Sequence, residues 1–274
     1  YNINLPYLSK IINNNYYILK LREVHGMKRK LISCISHIGE LNIDEIKRLE
    51  VGIEIQDFTE PNMTDKEVNN LIIKYKELFK GFNNIKSIHG PFLDLKPSSP
   101  DLEIRRVSQR RYIKAFLIAK ELDIDYLIFH SQINPHLNEE NIRKLNVEQS
   151  KEFWEEIARV VNYKGIILIE NIFEETPIMI KELIEAINLP NIKINLDVGH
   201  AKLGSVSIEN WVKELKDYIG YIHLHTNDGK SDQHLRPTEE EVKRLLYILD
   251  KYEIHCPISL EYKVENLEKD LEMF

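Results

Sequence analysis

A chain of 274 residues, 43% hydrophobic and 30% charged, suits one α/β barrel or two smaller domains, with enough apolar residues for a sizeable core and a soluble surface. Its net charge of −7 gives no global sign of nucleic acid or an anionic membrane as partner, although a local basic groove could hide within the acidic total. No apolar run approaches the ~18 residues a membrane span needs.

Residues 1–26 are Asn- and Tyr-rich, with INNNYY at 12–17, lack a secretory apolar block and precede Met27. Met27 as the true start and an ordered N-terminal extension both stay open. The repeating pattern starts at Lys30, which divides the chain into an extension (1–29) and a repeating α/β domain (30–274).

LISCIS (31–36) reads as a strand, followed after Glu40 by a short helix over 43–50 and a second strand, GIEIQDF (52–58). Thr64 and Asp65 cap a helix to about Lys80, ahead of IKSIHGPF (85–92). Ser99, Pro100 and Asp101 open a long helix to Leu122, and DYLIFHS (125–131) follows. A helix over 147–163 leads to GIILIEN (165–171), and one over 177–187 to IKINLDVGH (192–200). Another over 208–218 precedes GYIHLHTN (220–227), and one over 238–252 precedes CPISLEY (256–262); the last spans 264–274. The strand runs are near-continuously apolar, as expected when both faces are covered.

Eight strands alternating with eight helices is the count of a single (β/α)8 TIM barrel. A doubly wound open sheet would scatter the strand-end residues along a crevice, and no linker or charge block divides the chain. Cys34 and Cys256 fall in the first and last strands, neighbours in a closed barrel, and read as buried thiols rather than a disulfide.

Such barrels build active sites at the C-terminal ends of their strands. There the sequence places His89, His130, Glu170, Asp197, His200, His223, His225, Asp232, His234 and Glu261. Each has an ordinary explanation alone: a lone histidine is commonly a packing residue, and Asp197 could cap a loop. Glu170 and Glu261 follow the apolar runs IILI and PISL, where burying an unpaired carboxylate is costly. Convergence of imidazoles and carboxylates on one face predicts a divalent metal site.

The segments IHGPFLDL (88–95), LIFH (127–130), LIEN (168–171), NLDVGHA (195–201), YIHLHTNDGKSDQHL (221–235) and ISLEY (258–262) resemble the xylose-isomerase-like TIM-barrel superfamily, over nearly the whole chain from about residue 30. Resemblance to its D-tagatose 3-epimerase-like group implies one divalent ion held by Glu170, Asp197, His223 and Glu261. The two glutamates would also be the catalytic acid/base pair, isomerising or epimerising a ketose or sugar phosphate through an enediolate. His200 resembles that group's substrate-contacting histidine, with His89 and His225 as further candidate contacts. That group's arginine after the metal histidine is missing; Asn227, Asp228, Gly229 and Lys230 stand there.

Resemblance to endonuclease IV implies instead three zinc ions and cleavage of abasic DNA by a metal-bridged hydroxide. His89 and His130 would complete one site, His200, Asp232 and His234 another, and Asp197 with His223 the third, Glu170 and Glu261 bridging. The stretch QDFTEPNMTD (56–65) stands where that enzyme carries a DNA-entering loop, and Asp57, Glu60 and Asp65 would repel phosphates. The expectation is therefore a cytoplasmic sugar isomerase or epimerase with one to three manganese, cobalt or zinc ions per chain. A sugar is the expected partner, nucleic acid and membrane are not, and a homodimer follows from resemblance alone.

The basic cluster Arg105, Arg106, Arg110, Arg111 and Lys114 reads as a solvated helix face, with Arg105 or Arg106 the candidates to meet a sugar phosphate. His225 is open between supporting a ligand and touching substrate. His136 is expected at the surface, and Phe153 and Trp154 in the core or a dimer contact.

Overall fold

A computed structural model describes residues 29–274; the expected N-terminal extension, apart from Arg29, lies outside the described residues. Arg29 donates to the carbonyl of Ile254 at 2.8 Å and pairs with Asp250.

Eight parallel strands close into a barrel in sequence order: β1 Leu31–Ile35, β2 Gly52–Ile55, β3 Lys86–His89, β4 Tyr126–His130, β5 Ile166–Glu170, β6 Ile192–Asp197, β7 Ile219–Leu224 and β8 Ile258–Leu260. β8 pairs with β1, Ile32 opposite Ser259. Strand side chains alternate between the barrel interior and the surrounding helices. Ile32, Ile128, Leu168 and Tyr221 form their own buried cluster inside, while Ile53, Ile88, Leu127, Ile167, Ile194, Ile222 and Ile258 join the outer core.

The helices are α1 Ile43–Arg48, α2 Asp65–Leu78, α3 Leu102–Glu121, α4 Glu140–Val161, α5 Ile178–Ile187, α6 Val198–Leu203, α7 Ile208–Leu215, α8 Glu239–Lys251 and α9 Leu267–Leu271. Thr64 and Asp101 cap α2 and α3 as expected, accepting bonds from Glu67 N and Glu103 N. Phe153 and Trp154 are core residues, packed with Tyr112 and Phe129. No helix among the described residues is long and apolar enough to cross a membrane.

Three expectations shift. α4 begins seven residues before position 147. The strand expected over 192–200 stops at Asp197, whose carboxylate accepts from the His200 N–H and so starts α6. β8 is only three residues long, so Cys256 precedes it; both cysteines are free and half-buried.

Candidate metal centre

The inward alternation that puts Leu168 and Tyr221 in the barrel carries Glu170 and His223, two residues later, to its mouth. Asp197 and Glu261 end their strands on the same level. One ligand atom from each of Glu170, Asp197, His223 and Glu261 lies within 4.8 Å of the others, and all four residues are buried. His223 Nδ1 is 2.8 Å from Glu261 Oε2, 3.3 Å from Glu170 Oε2 and 3.7 Å from Asp197 Oδ2.

Beneath this quartet lies a polar layer that aims it. His223 gives its other nitrogen, Nε2, to Glu54 Oε2 at 3.1 Å, and Tyr221 donates its hydroxyl to the same oxygen at 2.8 Å. Gln56 Nε2 donates to Glu261 Oε1 at 2.9 Å, and Asn195 Nδ2 to Glu170 Oε2 at 2.9 Å. Asn171 braces Asp197 by bonding its backbone N–H and carbonyl.

Burial by itself favours neutral side chains here, yet the mutual field overrides it. Beside His223, Glu54 and Glu170 are both held below the ordinary carboxylate value. His200 and His225 do the same for Asp197. Glu261, Glu54 and Glu170 together hold His223 well above the usual imidazole range. Burial pushes His130 the other way, down to about 3.

Buried Glu261 Oε2 and His223 Nδ1 are close but lack hydrogen-bond geometry, and both remain without a partner among the described residues. Two lone-pair atoms aimed at one point, among carboxylates outnumbering the neighbouring cationic groups, is an arrangement that a divalent cation completes. The donor set of three carboxylates and one imidazole fits such an ion.

His89, His130 and Glu170 form an adjoining group. His89 bonds the Gly90 carbonyl through Nδ1 and turns Nε2 to within 3.6 Å of Glu170, while His130 stacks on Phe92. At the rim, His200, Asp232 and His234 come together as expected, joined by His225. His200 sits on α6 rather than on a strand end, and Asp232 and His234 lie in the loop after β7. A cleft of about 770 Å³ lined by Gln56, His234 and Glu261 opens on one side, and one of about 530 Å³ lined by Lys96, Gln132 and His200 on the other. Both are in the size range of small-molecule sites.

Other residues part from expectation. Asp57 is buried, its carboxylate accepting from the Tyr75 hydroxyl and the Ile38 N–H, rather than standing at the surface. Asp65 pairs with Lys114, and Glu60 alone of the three acidic residues stays exposed and unbridged among the described residues. Arg105 is bonded to the Ser99 carbonyl and faces Glu152, and Arg106 pairs with Glu103; neither joins the ligand cluster. His136 is exposed as expected.

The supporting residues Glu54, Gln56, Asn171, Asn195 and Tyr221 were not singled out from sequence. A signal existed for Glu54: it is a carboxylate between isoleucines in a buried strand, the cue that marked Glu170 and Glu261.

A family model described as xylose isomerase-like TIM barrel matches residues 50–274. An uncharacterized protein of Methanocaldococcus jannaschii is 28% identical over 174 residues, 60% of this chain; the chain spans only 58% of that relative's length. A solved D-tagatose 3-epimerase-like protein superposes with a TM-score of 0.67 at 24% identity, over 89% of this chain and 94% of its own. Endonuclease IV from Thermus thermophilus superposes at 0.57 and 14% identity, over 88% and 94%. At these identities the two structures attest the fold alone.

Proposed function

Since the chain belongs to the xylose isomerase-like TIM-barrel family, we propose that it is a divalent-metal-dependent isomerase or epimerase of a ketose or sugar phosphate. The observation that carries this reading is the pair Glu170 and Glu261, both within reach of His223 Nδ1 and each fixed through one oxygen by a neutral amide.

Glu170, Asp197, His223 and Glu261 would hold the ion. When bound, a manganese, cobalt or zinc ion polarises a substrate carbonyl and acidifies the adjacent C–H. The protein's own groups then move the proton. Gln56, bonded to Oε1, sets the direction from which Glu261 would accept the proton, while Glu170, steadied by Asn195, would return it from the opposite side. The neighbouring imidazoles, His223 foremost, outweigh burial and keep Glu170 ionised, and the two amides keep both carboxylates aimed. His200 and His89, at the two flanks of Glu170, would orient substrate oxygens.

A second reading, an endonuclease IV-like phosphodiesterase, is favoured by one observation, the additional rim cluster around Asp232 and His234.

Solvent deuterium incorporation into ketoses and ketose phosphates, with added manganese, cobalt or zinc and a chelated control, separates the two. Label at C3, or at the carbon of an aldose–ketose exchange, is the expected result. No label in any substrate, together with metal-dependent cleavage of abasic-site DNA, would overturn the first reading in favour of the second.

A further inference from the structure

We propose that Lys96 seats the anionic end of the substrate, so that the barrel takes a ketose carrying a phosphate or a carboxylate remote from its reacting carbon. The proposal rests on the preceding reading for its chemistry, but not for the charge that the cleft selects.

The clefts on either side of the deep quartet differ in charge. The larger also carries Glu40, Glu45, Glu265 and Glu268 on its walls, with Lys263 its sole lysine or arginine. Glu268 pairs with Arg48, which stands outside the cleft; Glu40, Glu45 and Glu265 form no ion pair among the described residues. An anionic group placed there would meet like charge.

The smaller cleft has Lys96 as its sole lysine or arginine and two acids, Glu174 and Glu175. Glu174 is only 2% exposed, its Oε2 accepts from the Ile172 N–H at 2.7 Å, and burial pushes its carboxyl above the ordinary value. Glu175 is exposed to water, which screens it. Lys96 is half-buried, and its ammonium makes no hydrogen bond or ion pair among the described residues. A cation drawn partly out of water without a counter-charge is unfavourable, and an anionic ligand supplies the missing partner. Its three donors on a compact charge suit phosphate or carboxylate oxygens.

The backbone around Lys96 makes it a fixed post. Its N–H donates to the Ser108 hydroxyl of α3 at 2.8 Å, and its carbonyl accepts from the Ser99 N–H at 3.1 Å. The Ser99 carbonyl in turn accepts from Nε and Nη2 of Arg105, each at 3.1 Å. Pro97, Ser98 and Ser99 are buried. With both backbone groups engaged on the α3 side, Lys96 meets the cleft through its side chain, from a loop that needs little further ordering on binding. Arg105, expected from sequence as a phosphate contact, thus acts one step back, holding the loop that carries the lysine.

The same cleft reaches the deep quartet. His200 lines it and places Nδ1 3.5 Å from Glu170 Oε1. At about 530 Å³ the cleft is large enough for a sugar and its anionic group. The charge contrast also sets direction: with the anion on Lys96, the neutral end of the sugar points toward Gln56 and the acidic cleft, and the carbons between lie over the quartet.

The test follows deuterium exchange by the metal-loaded full chain on matched neutral ketoses, ketose phosphates and ketoses ending in a carboxylate. An anionic set should be exchanged with kcat/KM at least about tenfold above the neutral set, and the two anionic sets tell which anion is preferred. Lys96→Gln should raise KM for the preferred anionic substrate at least about tenfold, with kcat within about twofold, and leave neutral ketoses unchanged. Lys96→Arg, which keeps the charge, should retain most of the preference. Neutral ketoses exchanged as well as anionic ones, or a Lys96→Gln loss shared equally by both, would overturn the proposal. Absence of exchange in every set would remove the isomerase reading, and titration of the loaded chain with a ketohexose 6-phosphate then decides the seat. Binding weakened at least about tenfold by Lys96→Gln upholds it; binding absent from the parent, or indifferent to the substitution, overturns it.

Discussion

Glu54→Gln is the substitution that most directly probes how the deep site is aimed. Glu54 is fully buried; its Oε2 meets His223 Nε2 at 3.1 Å and Tyr221 Oη at 2.8 Å. Glutamine keeps the volume and can turn its carbonyl toward His223 and its amide toward Tyr221. The fold and the direction of Nδ1 therefore survive, while the negative charge that makes His223 a stronger ligand is lost. Loss of such an outer carboxylate typically weakens metal binding about 10–100-fold, or about 1.4–2.7 kcal/mol. The assay is a competition titration of zinc or manganese against a chelator of known affinity, with unfolding followed in parallel. Tyr221→Phe is the control, because it strips a hydroxyl bonded to both Glu54 and Ser87. It should destabilise the fold by about 1–3 kcal/mol with a smaller effect on affinity. Glu54→Gln binding metal within about twofold of the parent would refute the idea that this carboxylate tunes His223.

Three further outcomes follow from the same geometry. Stripping the metal with a chelator should lower the unfolding temperature by several degrees, since an ion at 100 times its dissociation constant adds about 2.7 kcal/mol; an unchanged melting curve would argue against any tightly bound ion. Gly90→Ala should destabilise by about 1–3 kcal/mol and weaken metal binding through His89, because the added Cβ would stand 2.5 Å from the Phe129 ring and 2.8 Å from the Ile128 carbonyl. Glu241 gives a pH test away from the ligands. Partial burial raises its pKa, but bonds from Thr238 N–H, the Thr226 hydroxyl and Lys202 outweigh this and draw it down to about 2. Its folded value lies below its unfolded one, so its contribution is complete above about pH 4.5 and is lost as pH falls toward 2. The group is partly exposed, which keeps the effect under about 1 kcal/mol; denaturant unfolding at pH 6 and pH 3 should show a flatter pH slope for Glu241→Gln than for the parent.

Alternating apolar runs and helix caps made the barrel legible, because strands covered on both faces have little freedom of composition. Boundaries were less legible at Asp197, where one side chain both ends a strand and caps the next helix, and at Glu140, where a polar first turn hides the start of α4. The deep quartet could be read as costly buried charge at strand ends. Its supports could not, with Glu54 the exception, because Gln56, Asn195 and Asn171 are ordinary neutral residues whose role depends on which strand lies opposite. Asp57 shows the reverse error: in the chain it reads as surface charge, but a buried tyrosine three helical turns into α2 claims it.

The apolar floor formed by Ile32, Ile128, Leu168 and Tyr221 has a kinetic meaning. With the barrel sealed below, ion, sugar and product all share the upper mouth. On the proposed reaction the sugar sits over the deep quartet, so entry is ordered: the ion must be in place before the sugar, and the sugar must leave before the ion. Saturating substrate should therefore slow the escape of the ion into a chelator, and the chelator should inactivate idle protein faster than protein in turnover.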